Sequence, residues 1–277
     1  MTLTKSNGGA VFRKIAMGSW RTAADPSVYG LLEIDVSNVL AYLENINKNS
    51  DVKVGINEFV GRVTALVMKQ RPEMNGLIRL GRIYLRRHVN LFYQVNVPGG
   101  EDDPIGKANL LGLTIDNAEH KSVVEIAKEL KSKAGRIKKG HESELTKSVK
   151  TLSMVPWQLM RYVLDLTSFL NYDLNLPLQI LGMPKDPFGS VMITNVGSMG
   201  VETAWAPLVP YTRVPLLLTI GAIVDRPWVV GGKVEVRPIM RIGCTFDHRF
   251  MDGVHAAAMN RLFTKYFENP KLTEENL

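Results

Sequence analysis

Val234–Phe267, VEVRPIMRIGCTFDHRFMDGVHAAAMNRLFTKYF, holds two elements and the junction between them. Val234–Phe246 reads as a strand behind the turn signal Gly231-Gly232. Gly253–Phe267 reads as a helix carrying Val254, Ala257, Ala258, Leu262 and Phe263, and it stops near Pro270. Between them stands the densest polar cluster of the chain, Asp247-His248-Arg249 followed by Asp252-Gly253. A histidine at a strand–loop boundary, flanked by carboxylates and followed by a glycine turn, suits general-base work. From spacing alone, a structural ion-pair cluster fits equally well.

Working outward, Ser190–Val196 and Pro215–Val224 read as further strands of the last third. In the first third, Val28–Val36 and Val89–Val97 have strand character, the second closed by Pro98-Gly99-Gly100. Asn38–Ile46 reads as a helix capped by Asp35 or Ser37. Asn57 opens a second helix, in which Phe59, Val60, Val63, Leu66 and Val67 recur at helical spacing until Pro72. Ser122 and Glu125 form a Ser-x-x-Glu capping box ahead of Val123, Ile126, Ala127, Leu130, Ala134 and Ile137. Strands and helices mix without repeats or linker tracts, which predicts one α/β domain over residues 1–277. The texture changes at about 140–186, an apolar insertion containing the run Met154–Leu170. That run reads as a core helix or an oligomer contact. Its apolar residues are not confined to a stripe opposite a basic face, so no membrane partner is expected.

Composition narrows the function classes. The 277 residues are 45 % hydrophobic and 22 % charged, which excludes a disordered or fibrous chain. The single cysteine, Cys244, excludes a disulfide framework and any multi-cysteine metal site. The first twenty residues lack a signal-peptide pattern, and the longest uncharged run, Pro187–Val201, is too short to span a bilayer. A cytoplasmic protein is the expectation. The net charge of +7 includes five basic residues within Lys131–Lys139. They read as a solvated helix end, or as an anchor for the phosphates of a cofactor. Nucleic acid is not expected, because no aromatics interleave with the basic residues and no recognition motif is present.

Other chemistries compete at the junction. His248, Asp252 and His255 are spaced i, i+4, i+7, as metal ligands on one helix face would be, but Gly253 and the preceding strand argue against a continuous helix there. Cys244 is a conceivable nucleophile, yet a lone cysteine in a strand is more often a small buried hydrophobe. There is no G-x-S-x-G elbow, and Gly197-Ser198-Met199-Gly200 is not a dinucleotide fingerprint. No metal is expected.

The segment Phe246–Gly253, FDHRFMDG, resembles the D-H-R-x-x-D-G signature of dihydrolipoamide acyltransferase catalytic domains, the cores of 2-oxoacid dehydrogenase complexes. In family order, Val11–Trp20, LLEIDVSNVLAYL, PEMN at 72–75 and Val191–Gly200 resemble further family segments, so the likeness covers about residues 10–140 and 187–272. It implies an α/β fold like chloramphenicol acetyltransferase, a two-layer sandwich of mixed sheet and helices. It also implies direct acyl transfer between coenzyme A and a dihydrolipoyl-like thiol. On this chain His248 would be the base, and the Thr194 hydroxyl would stabilise the oxyanion; threonine there is similar to succinyl-transferring members. Asp252 would fix the turn, with Arg13 as its ion-pair partner, and Asn195, Asp247 and Arg249 would support the site. A homotrimer or larger trimer-based assembly follows, with base and channel wall from neighbouring copies. No lipoyl or subunit-binding domain is legible, so a lipoyl group would come from another chain. Pro26-Ser27 stands where the family often has P-H, and the polar end LTEENL departs from the apolar terminus of cage-forming members. A non-catalytic scaffold, or transfer to a small hydroxyl or amine acceptor, are the alternative readings.

Overall fold

The computed structural model describes residues 3–5, 25–97, 109–138, 155–176, 178 and 185–275. In chain order the strands are β1 (Leu3–Lys5), β2 (Ser27–Asp35), β3 (Gly76–Arg79), β4 (Arg82–Arg86), β5 (Leu91–Val97), β6 (Asn109–Ile115), β7 (Val191–Asn195), β8 (Leu216–Val230) and β9 (Lys233–Asp247). The α-helices are α1 (Ser37–Asn49), α2 (Ile56–Gln70), α3 (Val123–Lys138), α4 (Trp157–Ser168) and α5 (Gly253–Glu268). One sheet runs β2-β9-β8-β7-β5-β6, with β7 parallel to both β5 and β8 and every other pair antiparallel. A smaller sheet runs β1-β4-β3. The expected mixed sheet with packed helices is therefore observed.

Period-2 alternation sorts the large sheet into two faces. Leu91, Tyr93, Ile193, Leu216, Leu218, Ile220, Met240, Ile242, Cys244 and Phe246 are buried in one core with Phe59, Val63 and Leu66 of α2, Ile126 of α3, and Phe263 and Phe267 of α5. The opposite face holds a smaller cluster of Phe92, Met192, Val214 and Leu217. The chain from Val201 onward crosses that second face. Ala222 N–H donates to the Val201 carbonyl at 2.9 Å, Thr219 Oγ1 to the Ala204 carbonyl, and Trp205 Nε1 to the Gly30 carbonyl at 2.8 Å. The crossing needs glycine beneath it: a Cβ at Gly221 or Gly243 would run into the Glu202 or Ala204 carbonyl oxygen.

Local chemistry accounts for most boundaries. Ser122 and Glu125 form the expected capping box, with Ser122 N–H donating to Glu125 Oε2 at 2.7 Å and Glu125 N–H to Ser122 Oγ at 3.2 Å. Asp35 accepts the Ser37 N–H at 2.8 Å at the start of α1. Helix α2 opens at Gly55 rather than Asn57, because Glu58 reaches back to the Gly55 N–H at 2.8 Å. The β3–β4 hairpin and β6 carry no clear alternation and are found only in the structure. The hairpin turns on Leu80 and Gly81, both at positive φ, and leucine gives no turn signal.

Of the two readings of Met154–Leu170, a core helix or an oligomer contact, the described part from residue 155 onward does not fit the first. It forms α4, from which Leu159, Tyr162, Leu166 and Phe169 project as an exposed stripe, continued by a π-turn at Phe169–Asp173. Among the described residues no helix is long and apolar enough to cross a membrane.

Candidate functional site

Strand β9 ends at Asp247, and the next four residues make a turn held from both sides. Asp247 N–H donates to the Pro215 carbonyl at 3.0 Å, and His248 N–H to the Pro26 carbonyl at 2.9 Å, so the ladder continues one residue past the strand. Phe250 and Met251 N–H both point at the Asp247 carbonyl, at 3.3 and 3.0 Å. Their side chains are buried in the core and leave His248 half-exposed at the rim. The Asp247 carboxylate is buried and accepts the Arg249 N–H at 2.9 Å and the Arg249 guanidinium at 2.7–3.1 Å. This fork-to-fork pair fixes the backbone on each side of His248.

The tautomer of His248 follows from its partner. Nδ1 lies 2.8 Å from the Met251 carbonyl oxygen, which can only accept. Nδ1 therefore carries the hydrogen of the neutral ring, and Nε2 carries the lone pair. Asp252, directly after that carbonyl, is the N-cap of α5. Its Oδ1 accepts the Val254 N–H at 3.0 Å and the His255 N–H at 3.3 Å, and His255 Nδ1 is 2.7 Å from the same oxygen. His248, Asp252 and His255 thus serve a turn and a cap, and are not gathered as metal ligands. The Arg13 expectation lies outside the described residues.

Thr194 sits in β7 on the sheet face shared with Met192, half-buried, and Asn195 points to the helix face. Asn195 Nδ2 donates to Asn57 Oδ1 at 2.6 Å, and its Oδ1 accepts the Ser198 N–H at 3.0 Å, which braces the end of β7 against α2. Asn57 carries no functional signal in the sequence; only the long-range pairing reveals it. A cavity of about 310 Å³ opens beside this brace, lined by Asn57, Tyr93, Leu130, Lys131 and Asn195 among others. Of the basic cluster, Lys131 stands on this cavity, whereas Lys133 is held by Glu129 at 2.7 Å.

The sheet register separates the two principal candidates within one chain. Thr194 pairs with Thr219, and Thr219 with Gly243, five residues before His248. At roughly 3.3 Å per residue the two lie about 16 Å apart along the strands, and two strand spacings, about 10 Å, across them. Cys244 faces the helix core and its thiol is pushed up to about 12 by burial, which makes it a poor nucleophile.

The mixed sheet clad with helices on one face places the chain in the chloramphenicol acetyltransferase-like fold class. A solved chloramphenicol acetyltransferase superposes over 96 % of this chain and 100 % of its own length, with TM-score 0.52 and 12 % identity. Within that class the chain belongs to the 2-oxoacid dehydrogenases acyltransferase (catalytic domain) family, whose model matches residues 12–155 and 187–274. The cubic core of the pyruvate dehydrogenase multienzyme complex has the same fold, with TM-score 0.65 and 15 % identity over 95 % of this chain and 88 % of that one. A probable dihydrolipoyllysine-residue succinyltransferase component of the mitochondrial 2-oxoglutarate dehydrogenase complex of Schizosaccharomyces pombe is 27 % identical over 248 residues, 86 % of this chain. A dihydrolipoyllysine-residue acetyltransferase component of the pyruvate dehydrogenase complex of Rickettsia felis is 24 % identical over 89 % of this chain. The chain spans about half the length of these curated relatives, 43 % and 49 %.

Proposed function

We propose that this chain is a coenzyme A-dependent acyltransferase that moves an acyl group directly between coenzyme A and a dihydrolipoyl-like thiol. The Nδ1–H···O=C bond from His248 to Met251 carries the reading, because in the neutral ring it leaves Nε2 with the lone pair that a general base needs. Nε2 takes the proton from the acceptor thiol, and the thiolate attacks the thioester carbonyl. The tetrahedral oxyanion accepts a hydrogen bond from the Thr194 hydroxyl, then collapses as the carbon–sulfur bond to the leaving thiol breaks. The imidazolium returns its proton to that leaving thiolate, so one thioester is exchanged for another without net redox or proton change.

The distance between Thr194 and His248 in one chain supports a site assembled from neighbouring copies, which fits the trimer-based assembly that the family resemblance implies. Residues 1–277 act in this reading as one catalytic domain. The family match runs through residue 155 and passes over 156–186, which supports an insertion in the later part of the proposed span 140–186.

The test is an assay of free dihydrolipoamide with acetyl- and succinyl-coenzyme A, following S-acyl-dihydrolipoamide, with small alcohols and amines as competing acceptors. Turnover on dihydrolipoamide that is lost in His248→Ala supports the reading. Transfer only to alcohols or amines, or thiol transfer that survives in His248→Ala, overturns it.

A further inference from the structure

A second group of ligating side chains lies at the far edge of the large sheet, beside the β5–β6 hairpin. Leu91 pairs with Ile115, so the residues entering β5 and those leaving β6 are brought side by side. Ala118 N–H donates to the Val89 carbonyl at 2.8 Å and closes the contact. Asn117, at φ 51, turns the chain into a short 3-10 turn at Ala118–His120. The outcome is that His88, Glu119 and His120 each offer a ligand atom within 4.8 Å of the others.

Glu119 is the fixed member of the group. Its side chain is 5 % exposed, and its Oε2 accepts the Val89 N–H at 2.9 Å. Beneath it the buried Arg62 guanidinium donates to the Glu119 backbone carbonyl at 3.1 Å and the Ala118 carbonyl at 3.3 Å, which holds the turn in place. The other carboxylate oxygen, Oε1, faces two imidazoles, with His88 Nδ1 at 2.9 Å and His120 Nε2 at 3.5 Å. Both rings are more than half exposed and free to adjust by a few tenths of an ångström.

We propose that His88, Glu119 and His120 bind a divalent transition-metal ion of the zinc class, three protein ligands leaving a fourth position for water. Bonds of about 2.0–2.1 Å in a tetrahedron put neighbouring ligand atoms about 3.3 Å apart, and the observed 2.9 and 3.5 Å bracket that separation. Two imidazole nitrogens and one carboxylate select zinc, cobalt, nickel or copper over magnesium and calcium, which take oxygen ligands. A buried carboxylate oxygen already fixed by the backbone on its other side is the anchor such a site needs. The metal staples the segment entering β5 to the turn ahead of α3, the helix that carries Leu130 and Lys131 into the 310 Å³ cavity. This is independent of the acyl-transfer reading, since none of the three residues belongs to the histidine turn.

Untagged protein, stripped with chelator and titrated with zinc chloride in a calorimeter, tests the proposal. Saturable one-to-one uptake is expected. The cobalt(II) form should show the visible d–d absorption of a low-symmetry, four- or five-coordinate site. His120→Ala and His88→Ala, both surface changes, should each weaken zinc binding by at least about tenfold. They should also lose the rise in melting temperature that zinc gives the parent. Glu119→Gln is the stronger perturbation, and the two histidine variants keep the test valid if it fails to fold. Absence of saturable uptake at micromolar zinc, or parent-like affinity in the His88→Ala/His120→Ala double variant, overturns the site.

Discussion

The imidazole of His248 is locked to the carbonyl of Met251, 2.8 Å from its Nδ1, so that turn geometry and proton placement are one feature. If Nε2 is the base, His248→Ala lowers kcat by about 10²- to 10⁴-fold, the usual contribution of a positioned general base. KM for acyl-coenzyme A should move little, because the imidazole acts on the proton rather than on binding. Steady-state kinetics with dihydrolipoamide give both numbers. A KM effect with kcat intact would make His248 a binding residue instead.

Thr194 supplies a single hydrogen bond to the oxyanion in this mechanism. Thr194→Ala should therefore cost about 10²-fold in kcat, with Thr194→Ser close to the parent. The sheet register places Thr194 and His248 at different positions along the strands of one chain. Mixing the two impaired variants, by co-refolding or co-expression, should then raise turnover above that of either alone, through sites with one intact residue from each copy. Failure to recover activity in oligomers shown to be mixed would place both residues in one chain's site.

The sequence made some of this legible, and the physics explains which part. The histidine turn is local: Asp247 pairs with Arg249, and Asp252 caps the backbone at Val254 and His255, all between residues 247 and 255, so their spacing suffices. Helices α3 and α5 announce themselves by period because one face of each is buried, whereas β5, β9 and α2, buried on more than one face, are legible from their apolar density between turn and stop signals. The β3–β4 hairpin is not, since Leu80 occupies a left-handed turn position that Asn or Gly would advertise. The Asn57–Asn195 brace joins residues 138 apart, and the His88–Glu119 contact joins residues 31 apart. Such pairs exist only through the register of the sheet. The exposed stripe of α4 shows why the sequence admits both a core helix and an oligomer contact there: apolar residues at helical spacing report a face, not what covers it.

Asp252 acts on the histidine through the backbone. Its carboxylate caps α5, and its own peptide begins with the Met251 carbonyl that holds His248 Nδ1. Asp252→Ala removes the acceptor for the Val254 and His255 N–H groups and should destabilise the fold by about 1 kcal/mol or more, read by urea denaturation. A lower kcat at unchanged KM should accompany it, as the carbonyl loses its fixed direction. Asp252→Asn keeps an N-cap acceptor and should restore most of both. Equal losses in Asn and Ala variants would mean that the charge, rather than the cap, is what matters.

Cys244 tests the negative side of the mechanism. Its neighbours are the buried side chains of β8 and β9 and of α5, and burial raises its thiol from the ordinary 9.0 to about 12. At pH 8 the thiolate fraction falls by about 10³ relative to a free thiol, so alkylation of the native protein by iodoacetamide should be slower by at least that factor. Denaturation in urea should restore the ordinary rate. The sign of the linkage is fixed by the raised value: the fold favours the neutral thiol, so this contribution is intact below pH 9 and is lost as the pH rises toward about 12. Cys244→Ala should flatten that part of the alkaline stability profile while leaving acyl transfer at the parental rate. Loss of turnover in correctly folded Cys244→Ala, or rapid native alkylation with inactivation, would move the chemistry from His248 to the thiol.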